Sequence, residues 1–108
     1  NGYVYLLQEG QGHSASISDA GTNNYATSFQ YGTLNSLVAT QGGISNSLVN
    51  NQEGSGNEAM VTQVGEEGSV YLNQTGSDGA ISVTQGGFAN TMTVNQSGTG
   101  GGISITQN

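Results

Sequence analysis

Glutamine returns every eleven residues along this chain: Gln8, Gln30, Gln41, Gln52, Gln63, Gln74, Gln85, Gln96 and Gln107 fall on one count, which misses only at Asp19. Two residues beyond each count position, up to Gln96, stands a glycine: Gly10, Gly21, Gly32, Gly43, Gly54, Gly65, Gly76, Gly87 and Gly98. A period this short, kept from one end to the other, describes one small unit laid on itself many times. The chain is therefore expected to be a stack and not a globule.

With the count position as zero, positions seven and nine are mostly apolar, as in Val4 and Leu6, Ala15 and Ile17, Leu37 and Ala39, Val70 and Leu72, or Ile103 and Ile105. Ser28 and Asn50 are the exceptions. Seven, nine and eleven share one parity, so two apolar side chains and the next Gln point to the same face of a strand. The alternate positions are mainly Ser, Thr, Asn and Tyr, which suit a solvated face. Position five holds Asn24, Asn35, Asn46, Asn57 and Asn90, with His13, Gly2, Gly68, Gly79 and Gly101 elsewhere. These types tolerate positive φ, so position five is expected to be the left-handed corner residue, and the glycine at position two the other tight corner.

Above the period of eleven lies one of twenty-two. Ser18, Thr40, Thr62, Thr84 and Thr106 occupy position ten of alternate units, while Leu7, Phe29, Asn51, Asn73 and Asn95 occupy it in the others. Two chemically distinct rows imply two sheets, each receiving one strand per turn of chain. The expected fold is all-β: a two-sheet parallel β-solenoid of five 22-residue rungs, built from ten 11-residue strand-turn units as a single domain over residues 1–108. At a strand spacing of about 4.8 Å it would stand roughly 24 Å tall, its sheets about 10 Å apart. Gln8, Gln30, Gln52, Gln74 and Gln96 would form one inward ladder; Asp19, Gln41, Gln63, Gln85 and Gln107 would form the other. Each amide can donate to one rung and accept from another, which satisfies a buried polar group and pins the register.

Composition narrows the function. There is no Lys or Arg against seven acidic residues, a net charge of −7. A chain without a cation cannot neutralise phosphates, so neither nucleic acid nor an anionic membrane surface is an expected partner. The longest apolar run, Tyr3 to Leu7, is far too short to span a bilayer. Without Cys or Lys, with one His and no phosphate-cradling loop, the chain offers no catalytic constellation and calls for no metal or other cofactor.

The ends of such a stack decide what it does. Solenoids normally close their terminal rungs with caps, and edge strands normally carry Lys, Pro or a bulge. This sequence has no Pro and no Lys, opening on Tyr3-Val4-Tyr5-Leu6-Leu7 and closing on Ile103-Ser104-Ile105-Thr106-Gln107, both in phase with the repeat. Five turns of 22 residues need 110 positions and the chain has 108. Val4, Leu6, Ile17, Asp19, Met92, Val94, Ile103 and Ile105 are the expected stacking interface between copies. Two complementary ends related by translation do not close, and the expected product is an end-to-end cross-β amyloid filament.

The unit Gln-x-Gly-x-x-Asn, as in Gln41-Gly42-Gly43-Ile44-Ser45-Asn46-Ser47-Leu48 and Gln85-Gly86-Gly87-Phe88-Ala89-Asn90, resembles the curlin repeat of bacterial curli over essentially the whole chain. That resemblance implies a secreted, extracellular functional amyloid on the cell surface, supporting biofilm matrix, adhesion and aggregation of cells. It also implies three kinds of partner: the chain itself, a nucleator subunit, and an outer-membrane secretion pore with accessory chaperones. The family's non-repetitive N-terminal secretion segment is missing, which points to a trimmed or processed chain. The absence of basic residues points to the major fibre subunit, with the minor nucleator as the alternative. Gly68, Gly79 and Gly101 in place of Asn, and Asp19 in place of Gln, depart from the family pattern.

A few residues carry a second reading. Glu53, Glu58, Glu66, Glu67 and Asp78 are solvated charge on the middle units, or gatekeepers that slow internal nucleation; replacing all five by Asn or Gln would then shorten the lag of assembly. Adjacent Glu66 and Glu67 lack the separation across a cleft that a glycosidase pair requires. His13 is expected to fill a corner, since no clustered ligands accompany it. Tyr3, Tyr5, Leu7, Tyr25 and Phe29 are expected to make an outward patch suited to lateral bundling or adhesion. Acid is expected to favour assembly by relieving Asp19 and the overall self-repulsion. A rival solenoid function, ice binding through the Thr40, Thr62, Thr84 and Thr106 row, is compromised by Glu58 and Met60 beside it; a non-amyloid adhesin segment is the other rival.

Overall fold

A computed structural model describes residues 2–108, and every element in it is a strand: β1 (Gly2–Gln11), β2 (Ser14–Asp19), β3 (Asn24–Thr33), β4 (Ser36–Gln41), β5 (Ser47–Ser55), β6 (Glu58–Gln63), β7 (Ser69–Ser77), β8 (Ala80–Gln85), β9 (Thr91–Thr99) and β10 (Gly102–Gln107). The odd strands form one parallel sheet, β1-β3-β5-β7-β9, and the even strands the other, β10-β8-β6-β4-β2. Every pair is in register at a separation of 22 residues, as in Gln8↔Gln30 and Ile103↔Ile81. The extents are 33 × 24 × 13 Å. A ten-residue strand accounts for the longest and two facing sheets for the shortest, so the stack rises along the 24 Å axis. The two-sheet solenoid expected from the double periodicity is the fold observed.

The core is a strip between the sheets. Leu37, Leu48, Ala59 and Leu72 are 0% exposed, and Ala15, Ile17, Ile103 and Ile105 pack on the strip from its two ends. The two residues that interrupt the apolar pattern are stacked on each other. Ser28 and Asn50 lie in register on β3 and β5, both 0% exposed, and Asn50 Nδ2 donates to Ser28 Oγ at 3.2 Å. Placed together, the two polar groups satisfy part of each other's demand and interrupt the strip once.

Two expectations about the corners are corrected. The left-handed residue is at position four, not five: Asn23, Leu34, Ser45, Glu67, Asp78 and Ala89 have φ between 54° and 59°, joined by Gly12, Gly56 and Gly100 near 70°. Asn24, Asn35, Asn46 and Asn57 are instead buried ladder residues whose side chains hold the corner together. Asn46 donates through Nδ2 to Gly42 O at 2.6 Å and Gly65 O at 3.1 Å, and accepts from Gly68 N at 2.9 Å. Asn90 likewise donates to Gly86 O. Secondly, the odd strands run on through the position-two glycines Gly10, Gly32, Gly54, Gly76 and Gly98, whereas the even strands stop at Gln and leave Gly21, Gly43, Gly65 and Gly87 in the following bends. The requirement for glycine is steric as well as torsional. At Gly54, with φ of 123°, a Cβ would overlap the carbonyl oxygen of Gly76 on the next rung.

Candidate functional site

The expected site is the pair of end faces, and it is assembled by the two glutamine ladders. Along the odd sheet Gln8 donates to Gln30 at 2.7 Å, Gln30 to Gln52 at 2.8 Å, Gln52 to Gln74 at 2.9 Å and Gln74 to Gln96 at 2.7 Å. Along the even sheet Gln41 donates to Gln63 at 2.9 Å, Gln63 to Gln85 at 2.8 Å and Gln85 to Gln107 at 3.0 Å. Each Nε2 in the middle of these runs makes a second bond across the stack to a backbone carbonyl of the facing strand, such as Gln52 to Ser36 O at 2.9 Å. All the ladder bonds point the same way, from lower to higher residue number. The stack therefore has chemical polarity: acceptors face out at the β1 end and donors at the β10 end.

At the β1 end no described residue covers the first strand. Val4 and Leu6 are 48% and 42% exposed, although Leu48 and Leu72 in the same columns are fully enclosed. Ile17 is half-buried, and Asp19 is held by two bonds to Oδ1, from Gly21 N at 3.2 Å and Asn24 Nδ2 at 2.8 Å. Its Oδ2 is buried without a partner, and so is Oε1 of Gln41, the next member of the ladder. A carboxylate cannot donate, so the even ladder begins one bond short. At the β10 end Ile103, Ile105 and Gln107 are half-buried. Met92 and Val94 differ from expectation: at 7% and 4% exposed they are already enclosed, within the core cluster on which Ile103 and Ile105 of β10 pack. They offer little surface to a neighbour.

Other singled-out residues settle more simply. His13 fills the Asn position of the first rung and copies the amide's bonds: Nε2 meets Glu9 O at 2.9 Å, and Nδ1 accepts from Asn35 N at 3.3 Å. Tyr3 and Tyr25 stack outward with ring centroids 5.1 Å apart, and Tyr5 leans on Phe29 at 5.9 Å. Sequence reasoning missed the Leu34 corner, 66% exposed in a left-handed conformation, because position four has no consistent composition. Among the described residues no group of three or more His, Asp or Glu side chains could hold a metal ion.

Residues 45–76 match the family model of the curlin associated repeat. Over that segment the chain is similar to a curlin repeat. The matched segment takes in β5, β6 and most of β7, and the rungs on either side repeat its pairing without a change of register. Curlin repeats belong to a family of structural amyloid subunits associated with extracellular curli fibres, and not to a family of enzymes. No curated protein matches this chain.

Proposed function

We propose that this chain is the structural subunit of an extracellular, curli-like amyloid fibre, whose copies add end to end with each bare rung templating the next. The observation that carries the reading is the state of the first strand. β1 presents a row of inward side chains, in the same phase as the inner strands, with no described residue laid over it. Burying Val4 and Leu6 as their counterparts are buried inside is worth about 1.5–3 kcal/mol apiece at most. A further row of backbone hydrogen bonds and the ladder amides adds to that.

Such a filament would be secreted and cell-surface attached, serving biofilm matrix, adhesion and aggregation of cells as the major subunit. Its partners would be a nucleator carrying the same repeat and a secretion pore with its chaperones. Support for these roles is the curlin repeat itself together with the absence of any basic residue. Incubating the purified chain and examining it by electron microscopy and fibre diffraction tests the proposal. Filaments with reflections near about 4.7 Å along the axis and about 10 Å across it are expected. A soluble monomer that persists at high concentration without those reflections overturns it.

A further inference from the structure

We propose that Gln107 of one copy and Asp19 of the next form the junction bond of the filament, Gln107 Nε2 donating to Asp19 Oδ2. The proposal rests on the end-to-end reading and adds the residues that decide which faces join.

Asp19 is a liability inside its own chain. Gln41, Gln63 and Gln85 each pass a hydrogen bond to the next rung of the even ladder; Asp19 cannot, and Gln41 Oε1 is left buried and unpaired. An orphaned buried acceptor costs on the order of 1–3 kcal/mol. The chain thus gives up an internal bond at the first rung, where β2 is the edge strand of the even sheet and Oδ2, enclosed in the free chain, can meet a ladder donor only when a further strand is laid against that edge. What the carboxylate gains there is the strongest available acceptor for an amide donor coming from outside.

The position of Oδ2 fits that use. A Cβ placed on Gly68 would lie 2.8 Å from Gln85 Oε1 and 3.2 Å from Gln63 Nε2, the acceptor and donor of one ladder bond. Gly2 precedes Asp19 by the same 17 residues that separate Gly68 from Gln85, and a Cβ on Gly2 would overlap Asp19 Oδ2. Asp19 Oδ2 therefore stands beside Gly2 as the ladder acceptor stands beside Gly68. By the same register, the donor to Asp19 comes from one rung below, from a residue 22 positions earlier in phase. At the other end of the stack Gln107 accepts from Gln85 through Oε1, which leaves its Nε2 as the last donor of that ladder. Joined face to face, the two meet.

The test is a double-mutant cycle read in seeded elongation. Gln107→Glu keeps the acceptor that Gln85 uses and removes only the outward donor, setting a carboxylate against the carboxylate of the next copy. We expect Gln107→Glu to slow elongation on the order of tenfold or more at neutral pH, the equivalent of one lost charge-assisted bond. Asp19→Asn alone should also slow elongation, because the side-chain oxygen stays with Gly21 N and Asn24 Nδ2 and the new amide nitrogen takes the place of Oδ2, donor against donor; the double variant should recover most of the lost rate. Denaturant unfolding of dilute monomer should show no coupling between the two sites, which sit on the first and last rungs. An equimolar mixture of the two single variants should also elongate, since every junction between unlike chains then pairs an amide with a carboxylate. An additive cycle, or a mixture that stays stalled, overturns the pair while wild-type fibres keep the stacking reading intact. If the wild type itself forms no fibres, the stacking reading falls and the junction falls with it.

Discussion

The first and last rungs are built from the same eleven-residue unit yet present opposite chemistry. The β1 end carries both titratable ladder substitutions, His13 and Asp19, and its inward apolar side chains are bare. The β10 end, from Thr91 to Asn108, has no charged residue at all, and the inward Met92 and Val94 of β9 are already enclosed. A repeat protein with identical rungs would join either end to anything of its kind. Here the bond direction of the ladders and the placing of one carboxylate make the two faces unlike, so in the stacking we propose head-to-tail would be the favourable contact and head-to-head would oppose acceptor to acceptor.

The largest contrast should come from glycine. Gly54→Ala would drive a Cβ into the carbonyl of Gly76, and is expected to cost about 3 kcal/mol or more or to prevent folding, measured by denaturant unfolding. At Gly98 nothing lies within 4 Å, so Gly98→Ala should cost the monomer only backbone strain, about 1–2 kcal/mol. Equal losses at the two sites would break the claim that the last rung is open. A second contrast concerns the core columns. Leu72→Ala should cost about 2–5 kcal/mol in the monomer, while Leu6→Ala, 42% exposed, should cost under about 1 kcal/mol. If Leu6→Ala is as damaging in dilute monomer, the first strand is covered by something other than a second copy.

Smaller effects sharpen the picture of the first rung. Asp19→Gln should return a donor to Gln41 Oε1 and raise monomer stability by about 1 kcal/mol, read as a shift in the unfolding midpoint at unchanged slope. No gain would mean that the ladder is not one bond short at its start. Smallest is Leu34→Gly, which should add up to about 1 kcal/mol by relieving a left-handed leucine.

Much of this architecture was legible because periodicity speaks directly to geometry. Position ten alternating between Thr and Asn or aromatic residues gave away two sheets, and the inward parity of Gln with Leu and Val gave away the ladders. The corner differs from the expectation for a reason of the same kind. Asn is common both in left-handed turns and in buried hydrogen-bonding roles, and composition alone favoured the turn. The residue that takes the left-handed backbone is Leu34 in one unit, Glu67 in another and Ala89 in a third, so no sequence signal marks it. After Leu34, Ser45 and Ala89 the Asn that follows braces the corner through a bond to the carbonyl four residues back, whereas Glu67 takes the same backbone before Gly68, with no Asn to brace it. Likewise, the enclosure of Met92 and Val94 depends on packing between the two sheets, with Ile103 and Ile105 against the same core, which a rung-by-rung reading of the sequence does not contain.

The constant offset of 22 between partners also constrains how such a chain can change length. Removing or duplicating 22 consecutive residues returns every survivor to the same sheet with an equivalent neighbour. An insertion of eleven would transfer all downstream strands to the opposite wall, exchanging short strands for long ones and moving the Thr columns onto the aromatic side. Gain and loss of material is thereby quantised in whole turns, so lineages of this protein should differ by complete coils while the two walls keep their separate identities.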